Sequence, residues 1–218
     1  MTTVKFIGIT KPEILGIATT EEFIAYVARV SNPSNQANNT TAGKLLKYLI
    51  KNKHWSPFEM ATMVLEINTT RDIARQILRH RSFSFQEFSQ RYAEATDLGF
   101  DLREPRLQDV KNRQNSLEIA DRELEFAWYD MQEEVLNKVR TAYAWALEKG
   151  IAKEQARAVL PEGMTRSRMY MSGTIRSWIH YVDIRADIAT QKEHRCVAEL
   201  AKSILLEQMP SLKDYYEV

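Results

Sequence analysis

The stretch Arg79–Tyr92, RHRSFSFQEFSQRY, is the most informative segment of this sequence. It opens with three side chains that are cationic or able to become cationic, and a carboxylate, three serines and a further arginine follow. The forked guanidinium group of arginine matches the paired oxygens of a phosphate. The segment therefore indicates an anion-binding site with reactive groups attached.

A solvated surface patch is the ordinary explanation for a basic run of this kind, and a nucleic-acid contact is a further one. Residues 71–91 hold five arginines against Asp72 and Glu87, which gives a local charge of +3 when His80 is neutral. Three phenylalanines interrupt the run, however, and large apolar side chains are usually buried. From these residues alone, an anion site and a surface patch both remain open.

The chain as a whole is almost neutral, with a formal net charge of +1 over 218 residues. A dedicated nucleic-acid-binding protein is usually strongly basic, so we expect any basic site to be local. No apolar run approaches the ~20 residues of a membrane span, and the N-terminus does not resemble a secretory signal. We expect a soluble cytoplasmic protein that binds neither nucleic acid nor membrane, with one domain over residues 1–218.

The single cysteine, Cys196, excludes an internal disulfide and any zinc site built from several cysteines, and we expect no metal. It lies in an apparent helix, where a cysteine usually acts as a small buried apolar side chain. The seven glycines form neither a Gly-x-Gly-x-x-Gly motif nor a phosphate loop. Any bound nucleotide is therefore held by an architecture other than a Rossmann domain.

Apolar periodicity predicts an α+β protein: a helix-rich single domain with a small central sheet and long helices. The predicted strands are 4–10 and 63–67, and the predicted helices are 21–30 behind a Thr20 cap, the segment after Thr41, the segment after Thr70, 116–149, 152–161, the segment from Ile175 past Arg185, and 191–208. Residues 97–115 are polar and irregular, which predicts a loop.

Two local patterns refine this prediction. Ser56–Glu59 has the residues of a capping box, with serine at the cap, proline at the first helical position and glutamate three residues on. Arg71, Arg75 and Arg79 follow one another at four-residue spacing on one helix. Like charges at that spacing cost ~0.2–0.5 kcal/mol per pair in an isolated helix, so we expect a carboxylate or a ligand phosphate to neutralise the row.

The spacing Arg-His-Arg, seven residues, Ser resembles the signature of the flavin-dependent thymidylate synthases, and it is complete at Arg79, His80, Arg81 and Ser89. The similarity extends over about residues 20–210. Its further blocks, in family order, are 28–31, 54–59, 75–76, 156–161 and 173–178, followed by His180 and Arg185. The resemblance implies that family's fold and the reductive methylation of dUMP to dTMP. It also implies FAD as cofactor, with methylenetetrahydrofolate as carbon donor and NADPH as reductant.

The resemblance also implies roles for individual residues. The dUMP site would consist of Gln76, Arg79, Glu87, Phe88, Ser89, Gln90, Arg91, Arg157 and Arg185. The FAD site would consist of Ser31, His54, Ser56, Glu59, Arg79, His80, Arg81, Thr174, Arg176 and His180. Arg185 stands at the family's position for the arginine that polarises the pyrimidine, and it is our catalytic candidate. His194 gains no role from the resemblance, so we treat it as a surface or core residue.

Two residues depart from the family pattern, because Gln86 and Thr174 stand where the family commonly has asparagine. Threonine is shorter than asparagine and lacks the paired geometry of the amide. Cysteine-dependent thymidylate synthases attack uracil with a thiolate. Here Cys196 lies outside every matching block, which fits the flavin-dependent route.

The expected assembly is a homotetramer whose active sites are shared between subunits, as the resemblance implies. The predicted helix 116–149 supports it, because its apolar length exceeds what one small domain readily covers. Two alternatives stay open at this point. One is a helical nucleic-acid-binding protein that stacks bases on the phenylalanines of the basic segment. The other is a catalytically silent relative that binds nucleotides.

Overall fold

A four-stranded antiparallel sheet lies at the centre of the computed structural model, which describes residues 2–216. The strands are β1 (Thr3–Ile9), β2 (Thr62–Thr70), β3 (Phe83–Glu87), β4 (Arg106–Gln108), β5 (Ser116–Glu118) and β6 (Arg166–Thr174). The central sheet has the order β1-β2-β6-β3, and β4 and β5 form a separate hairpin. The sheet edge formed by β3 is part of the signature segment.

The helices are α1 (Thr20–Ala28), α2 (Ala42–Lys51), α3 (Arg71–Ile77), α4 (Arg122–Glu148), α5 (Lys153–Ala156), α6 (Ile175–Arg185), α7 (Lys192–Gln208) and α8 (Lys213–Tyr216). Short 3-10 helices occur at Pro33–Asn35, Ser56–Glu59, Ala95–Asp97, Arg157–Val159 and Pro210–Leu212. The predicted α+β class with a small sheet and long helices is confirmed. Within residues 2–216, none of the helices has the length and apolar character required to cross a bilayer.

The core lies between the central sheet and the helices packed on one of its faces. Met63, Leu65 and Ile67 alternate along β2 with their side chains fully buried, as expected for a strand with one face against the core. Trp178 of α6 is fully buried beneath this face, and its indole Nε1 donates to the carbonyl of Met63 at 3.0 Å. This packing holds α6, which carries several candidate site residues, against the sheet.

Phe83 begins β3 directly opposite Gly173 of β6. A Cβ atom added at residue 173 would lie 2.3 Å from the Phe83 ring, so only glycine accommodates this packing. The Phe83 ring also meets Trp178 edge-on, with 4.8 Å between the centroids. Phe83, the first of the three phenylalanines that interrupt the basic segment, is thus a core residue, and it anchors the start of β3.

Several predicted element boundaries need correction. The long helix begins at Arg122 rather than at residue 116, because residues 116–118 pair with β4 and the Asp121 carboxylate accepts from the Leu124 amide at 3.0 Å. The predicted helix 152–161 is only one short α-helical turn followed by a 3-10 turn. Residues 97–115 are largely irregular, as predicted, apart from β4.

The capping box predicted at Ser56–Glu59 is not formed, and the cap of α1 is also placed differently from the prediction. Ser56 is the first residue of a 3-10 helix, and no side chain caps that helix. A complete capping box instead begins α1, where the Thr19 hydroxyl accepts from the Glu22 amide and the Glu22 carboxylate accepts from the Thr19 amide. The predicted cap at Thr20 was wrong by one residue, because Thr20 donates its hydroxyl to the carbonyl of Thr10.

Candidate active site

The Arg79-His80-Arg81 triplet lies on the turn between α3 and β3. The His80 amide donates to the Ile77 carbonyl at 3.0 Å, which forms a tight turn directly after α3. The side chains of Arg79 and Arg81 are exposed, and within residues 2–216 neither guanidinium makes a hydrogen bond or an ion pair. Two unpaired arginines on one turn are available to bind an anion.

The expected neutralisation of the arginine row is confirmed for two of its three members. Arg71 lies 3.7 Å from the Glu87 carboxylate, and Arg75 lies 2.6 Å from Glu162. The hydrogen bond from Arg75 holds the pKa of Glu162 below its usual value. Arg79 lacks a carboxylate partner among the described residues, so the positive charge at this end of the row remains available to a ligand.

Arg185, at the end of α6, is bound to the signature histidine. Its Nε donates to Nε2 of His80 at 2.9 Å. Burial and the positive charges of Arg185 and Arg79 together lower the pKa of His80 to about 4, and burial is the largest cause. His80 is therefore neutral at physiological pH, and its Nε2 is an acceptor.

The carboxylates nearest to Arg185 in sequence have other partners. Asp183 accepts from the hydroxyl of Tyr215 at 3.0 Å, and Asp187 accepts from the Ala189 amide at 2.8 Å. The alternative that Arg185 is a surface residue paired with Asp183 or Asp187 is therefore not what the structure contains. Its guanidinium keeps its full positive charge beside the signature turn.

Gln76 of α3 is held by residues that the sequence analysis did not select. Its amide Nε2 donates to Oε1 of Gln191 at 2.7 Å, and its Oε1 lies 3.3 Å from Nδ1 of His194. His194 is completely buried, so it is a core residue. Gln191 and His194 lie one helical turn apart, and this spacing is the only sequence signal that they share a face.

A second group of predicted dUMP residues follows β3. The Ser167 hydroxyl donates to the Glu87 carboxylate at 2.6 Å, and the Ser89 hydroxyl accepts from the backbone amide of Arg91 at 3.4 Å. Arg91 Nε lies 3.2 Å from the Glu154 carboxylate, and Arg157 Nε donates to the Glu154 carbonyl at 3.3 Å. The structure thus brings together two arginines and a serine hydroxyl.

Gln90 and Phe88 complete this group. The amide of Phe88 donates to the carbonyl of Arg168 at 2.8 Å, which extends the pairing of β3 with β6. Gln90 is only 3% exposed, and within residues 2–216 its Nε2 has no hydrogen-bond partner. An unsatisfied buried amide costs about 1–3 kcal/mol, so this group is suited to donate to a bound ligand or a second chain.

The predicted dUMP residues therefore form two groups rather than one. Gln76, Arg79 and Arg185 lie at the start of β3, whereas Glu87 and the Ser89–Arg91 segment lie at its end. The five residues of β3 are extended, so the two ends of the strand are about 13 Å apart at ~3.3 Å per residue.

The predicted flavin residues His54, Ser56 and Arg176 line one cavity, of about 530 Å³. Its wall also contains Trp55 and Lys53. Two cations suit a diphosphate, an indole offers an aromatic surface, and a serine hydroxyl both donates and accepts. The residues present therefore fit a dinucleotide such as FAD.

Three further predicted flavin residues border this cavity or support it. Glu59 pairs with Arg176 at 2.5 Å, and the rings of His180 and Trp55 meet edge-on with 4.8 Å between their centroids. Thr174 has a structural contact, because its hydroxyl accepts from the Ser177 amide at 3.2 Å and caps α6. Ser31 is exposed, three residues beyond Ala28 in the cavity wall.

Comparison with known proteins gives a consistent result. The family model of the thymidylate synthase complementing proteins matches residues 14–211. A probable flavin-dependent thymidylate synthase of Paramecium bursaria Chlorella virus 1 is 52% identical over 208 residues, 95% of each chain. The flavin-dependent thymidylate synthase of Synechocystis sp. is 51% identical over 212 residues, 96% of each chain.

A solved structure shares the whole architecture. The UMP/dUMP methylase PolB of Streptomyces cacaoi, bound with 5-Br dUMP, superposes with a TM-score of 0.78 at 26% sequence identity. The match covers 97% of this chain and 92% of that one.

Proposed function

The chain belongs to the thymidylate synthase complementing proteins, the flavin-dependent thymidylate synthases, and from this premise we propose that it methylates dUMP to dTMP with FAD as cofactor. In this proposal methylenetetrahydrofolate donates the carbon and NADPH is the reductant. FAD supplies the redox chemistry when bound, since no side chain of the site is redox-active. The observation that carries the proposal is the contact between Arg185 and His80, beside the unpaired Arg79.

Arg185 is proposed to polarise the pyrimidine. Its Nε is used by His80, which leaves the two terminal amino groups of the guanidinium to donate to a ligand. Because His80 is neutral, it orients the guanidinium and leaves its positive charge intact. A carboxylate in the same place would cancel that charge. A fixed cation stabilises negative charge that develops on the uracil carbonyls and N3 during reaction at C5.

The group that follows β3 is proposed to hold the phosphate and the sugar. Arg91 contacts the carboxylate of Glu154 and Arg157 its backbone carbonyl, and two guanidinium groups that share this residue suit a dianionic phosphate. The Glu87 carboxylate suits a ribose hydroxyl, because it can accept a hydrogen bond from the hydroxyl O–H. The unpartnered amide of Gln90 supports a ligand or a partner chain here.

The cavity lined by His54, Ser56 and Arg176 is proposed to hold FAD. Arg176 would balance the diphosphate charge, and Glu59 and His180 lie against the residues of the cavity wall. The departure at Thr174 leaves its hydroxyl engaged in capping α6, so we propose that its contribution to the flavin site is to position that helix.

We also propose that the protein is one domain that assembles into a homotetramer with shared active sites. A separation of about 13 Å along β3 keeps the two groups of dUMP residues of one chain apart. One dUMP site can then be completed by the residues at the start of β3 in one subunit and the residues at the end of β3 in another. The helix α4 supports the assembly, because Phe126, Trp128, Met131 and Trp145 are all more than 40% exposed. An active monomer in light scattering at working concentration would contradict it.

The reaction is tested by removing and restoring the flavin. NADPH oxidation and dTMP formation should both require FAD, and purified protein should show the two visible absorption bands of a flavin. Protein stripped of flavin that methylates dUMP at an undiminished rate would contradict the proposal. A protein without these bands, whose affinity for polynucleotides falls steeply with salt, would favour the nucleic-acid alternative.

A further inference from the structure

His194 and Tyr181 form a buried hydrogen-bonded pair beneath the Gln76 end of the candidate site. His194 lies in the first turn of α7 and is fully buried, and Tyr181 of α6 is 1% exposed. Nε2 of His194 is 3.1 Å from the Tyr181 hydroxyl, and Nδ1 is 3.3 Å from Oε1 of Gln76. The Tyr181 ring also meets the His80 ring edge-on at 4.9 Å. One pair thus supports both Gln76 and His80.

The direction of the hydrogen bonds around Gln76 follows from Glu193. The pKa of Glu193 is held below its usual value by the hydrogen bond from Arg106 and the charge of Arg103, although burial opposes this. The ionised carboxylate only accepts, so Gln191 directs its amide Nε2 to it, at 2.9 Å. Oε1 of Gln191 then faces Gln76 and accepts its Nε2 at 2.7 Å.

The same logic continues to the buried pair. With its amide nitrogen turned to Gln191, Gln76 turns its oxygen to His194, and an oxygen only accepts. Nδ1 of His194 therefore carries the proton, and its Nε2 accepts from the Tyr181 hydroxyl. Burial, the largest cause, and the nearby charge of Arg185 help to lower the pKa of His194 to about 3. A neutral imidazole with one donor and one acceptor fits both contacts.

We propose that His194 is a positioning residue for dUMP binding, which fixes the carboxamide of Gln76 so that its remaining N–H is free to donate to the substrate. This inference rests on the proposed function. Gln76 then acts toward dUMP as a donor, to a uracil carbonyl oxygen. If Gln76 were free to rotate, its oxygen would be presented as often as its nitrogen, and the donor would be lost in part of the molecules.

Two substitutions separate the two contacts of His194. In His194→Asn the amide nitrogen takes the place of Nδ1 and keeps the bond to Gln76. In His194→Gln the amide reaches the place of Nε2, which keeps the contact with Tyr181 and gives up that with Gln76. We expect His194→Gln to raise the KM for dUMP about tenfold and His194→Asn to raise it less than about threefold, with kcat nearly unchanged in both. Equal effects of the two substitutions would overturn the proposal.

A matched control separates positioning from stability. Val197, one turn along α7, is also fully buried, and Val197→Ala should lower the unfolding temperature but leave the KM for dUMP unchanged. In a Gln76→Ala background, His194→Gln should cause no further loss of dUMP affinity, because its effect passes through Gln76. An additional tenfold loss in that background would refute the role.

The tautomer of His194 gives a test that needs no turnover. The ¹⁵N chemical shifts of its imidazole in the wild-type holoenzyme should be those of a neutral ring protonated at Nδ1. A ring protonated at Nε2 would overturn the inference, even if the protein makes dTMP. A wild-type enzyme that makes no dTMP would instead refute the proposed function, while the tautomer and the dUMP dissociation constants still decide the role of His194.

Discussion

Nε of Arg185 donates to Nε2 of His80 at 2.9 Å, so the signature histidine orients the candidate catalytic arginine. The two residues are 105 positions apart in the chain, and they meet where the end of α6 reaches the turn before β3. A neutral histidine is the partner that fits this role, since it accepts a hydrogen bond and leaves the guanidinium charge intact.

Arg185→Ala should retain the flavin colour and lose dTMP formation. Removal of one fixed donor at developing charge reduces kcat by about 100- to 1000-fold in comparable sites. Arg113→Ala, at an exposed arginine of the β4–β5 hairpin, is the matched control and should keep full activity. Cys196→Ala should also remain active, because no thiolate is used. An active Arg185→Ala enzyme would remove Arg185 from the mechanism.

Ser89→Ala should keep measurable turnover and bind dUMP more weakly, by about tenfold. The Ser89 hydroxyl accepts from the Arg91 amide, and within residues 2–216 no histidine side chain lies within hydrogen-bonding distance of it. It therefore lacks a base that would make it a nucleophile. The dissociation constant for dUMP and kcat should be measured separately. An inactive variant with normal dUMP affinity would indicate a nucleophilic serine.

His54→Ala should still bind dUMP but lose flavin or the folate-dependent step. The imidazole lines the same cavity as Ser56 and Arg176, and it is remote in the sequence from the group that follows β3. Flavin retention after gel filtration and dUMP affinity check the two halves of this prediction. Normal methylation rates in the variant would show that His54 is structural.

Acidification from pH 6.5 should destabilise the protein through its buried histidines. The pKa of His194 falls from 6.5 to about 3 on folding because of burial. The unfolded chain therefore binds more protons between these values, and stability is lost as the pH falls through that window. His80, with a pKa of about 4, acts in the same direction. Well above pH 6.5 both histidines are neutral in the folded and the unfolded state, and they then contribute no slope.

Denaturant unfolding at several pH values measures this effect. Between pH 6.5 and 5 the wild type should lose about 1.5 kcal/mol more than His194→Asn, which lacks the titrating ring. Carboxylates with a lowered pKa, such as Glu162, act mainly below their ordinary value of 4.5, and burial raises the pKa of Asp183. Both proteins contain these carboxylates, so the difference between them isolates His194. Parallel pH profiles of the two proteins would contradict the prediction.

Gly173→Ala should destabilise the protein by about 1–3 kcal/mol, because the added Cβ overlaps the ring of Phe83. Displacement of Phe83 also disturbs the adjoining signature turn, so dUMP affinity should fall together with the unfolding temperature. Gly8→Ala is the matched control, since no atom lies within 4 Å of a Cβ added there. Equal unfolding temperatures for the two variants would show that β3 can shift to accommodate the added Cβ without a loss of stability.

The family and the residue types of the site could be predicted from the amino acids alone. The signature Arg79–Ser89 is a local pattern, so side-chain chemistry and spacing identify it without knowledge of the fold. Helix α7 and strand β2 were also predictable, because apolar residues repeat with the period of each element. The ends of the helices and strands were less predictable. Residues 116–118 continue a helical pattern, yet they pair with β4, and pairing with a distant segment overrides local preference.

Which residues act together became visible in the folded chain. His194 looked like an isolated histidine, and it is 118 positions from Gln76, which it contacts. Likewise, only the structure shows that Glu87 neutralises Arg71 and that β3 divides the predicted dUMP residues into two groups. The physical reason is that a hydrogen bond or an ion pair depends on distances of about 3–4 Å between atoms. The folding of the chain brings such atoms together, and for residues more than about one helical turn apart the separation in the sequence does not indicate which of them meet.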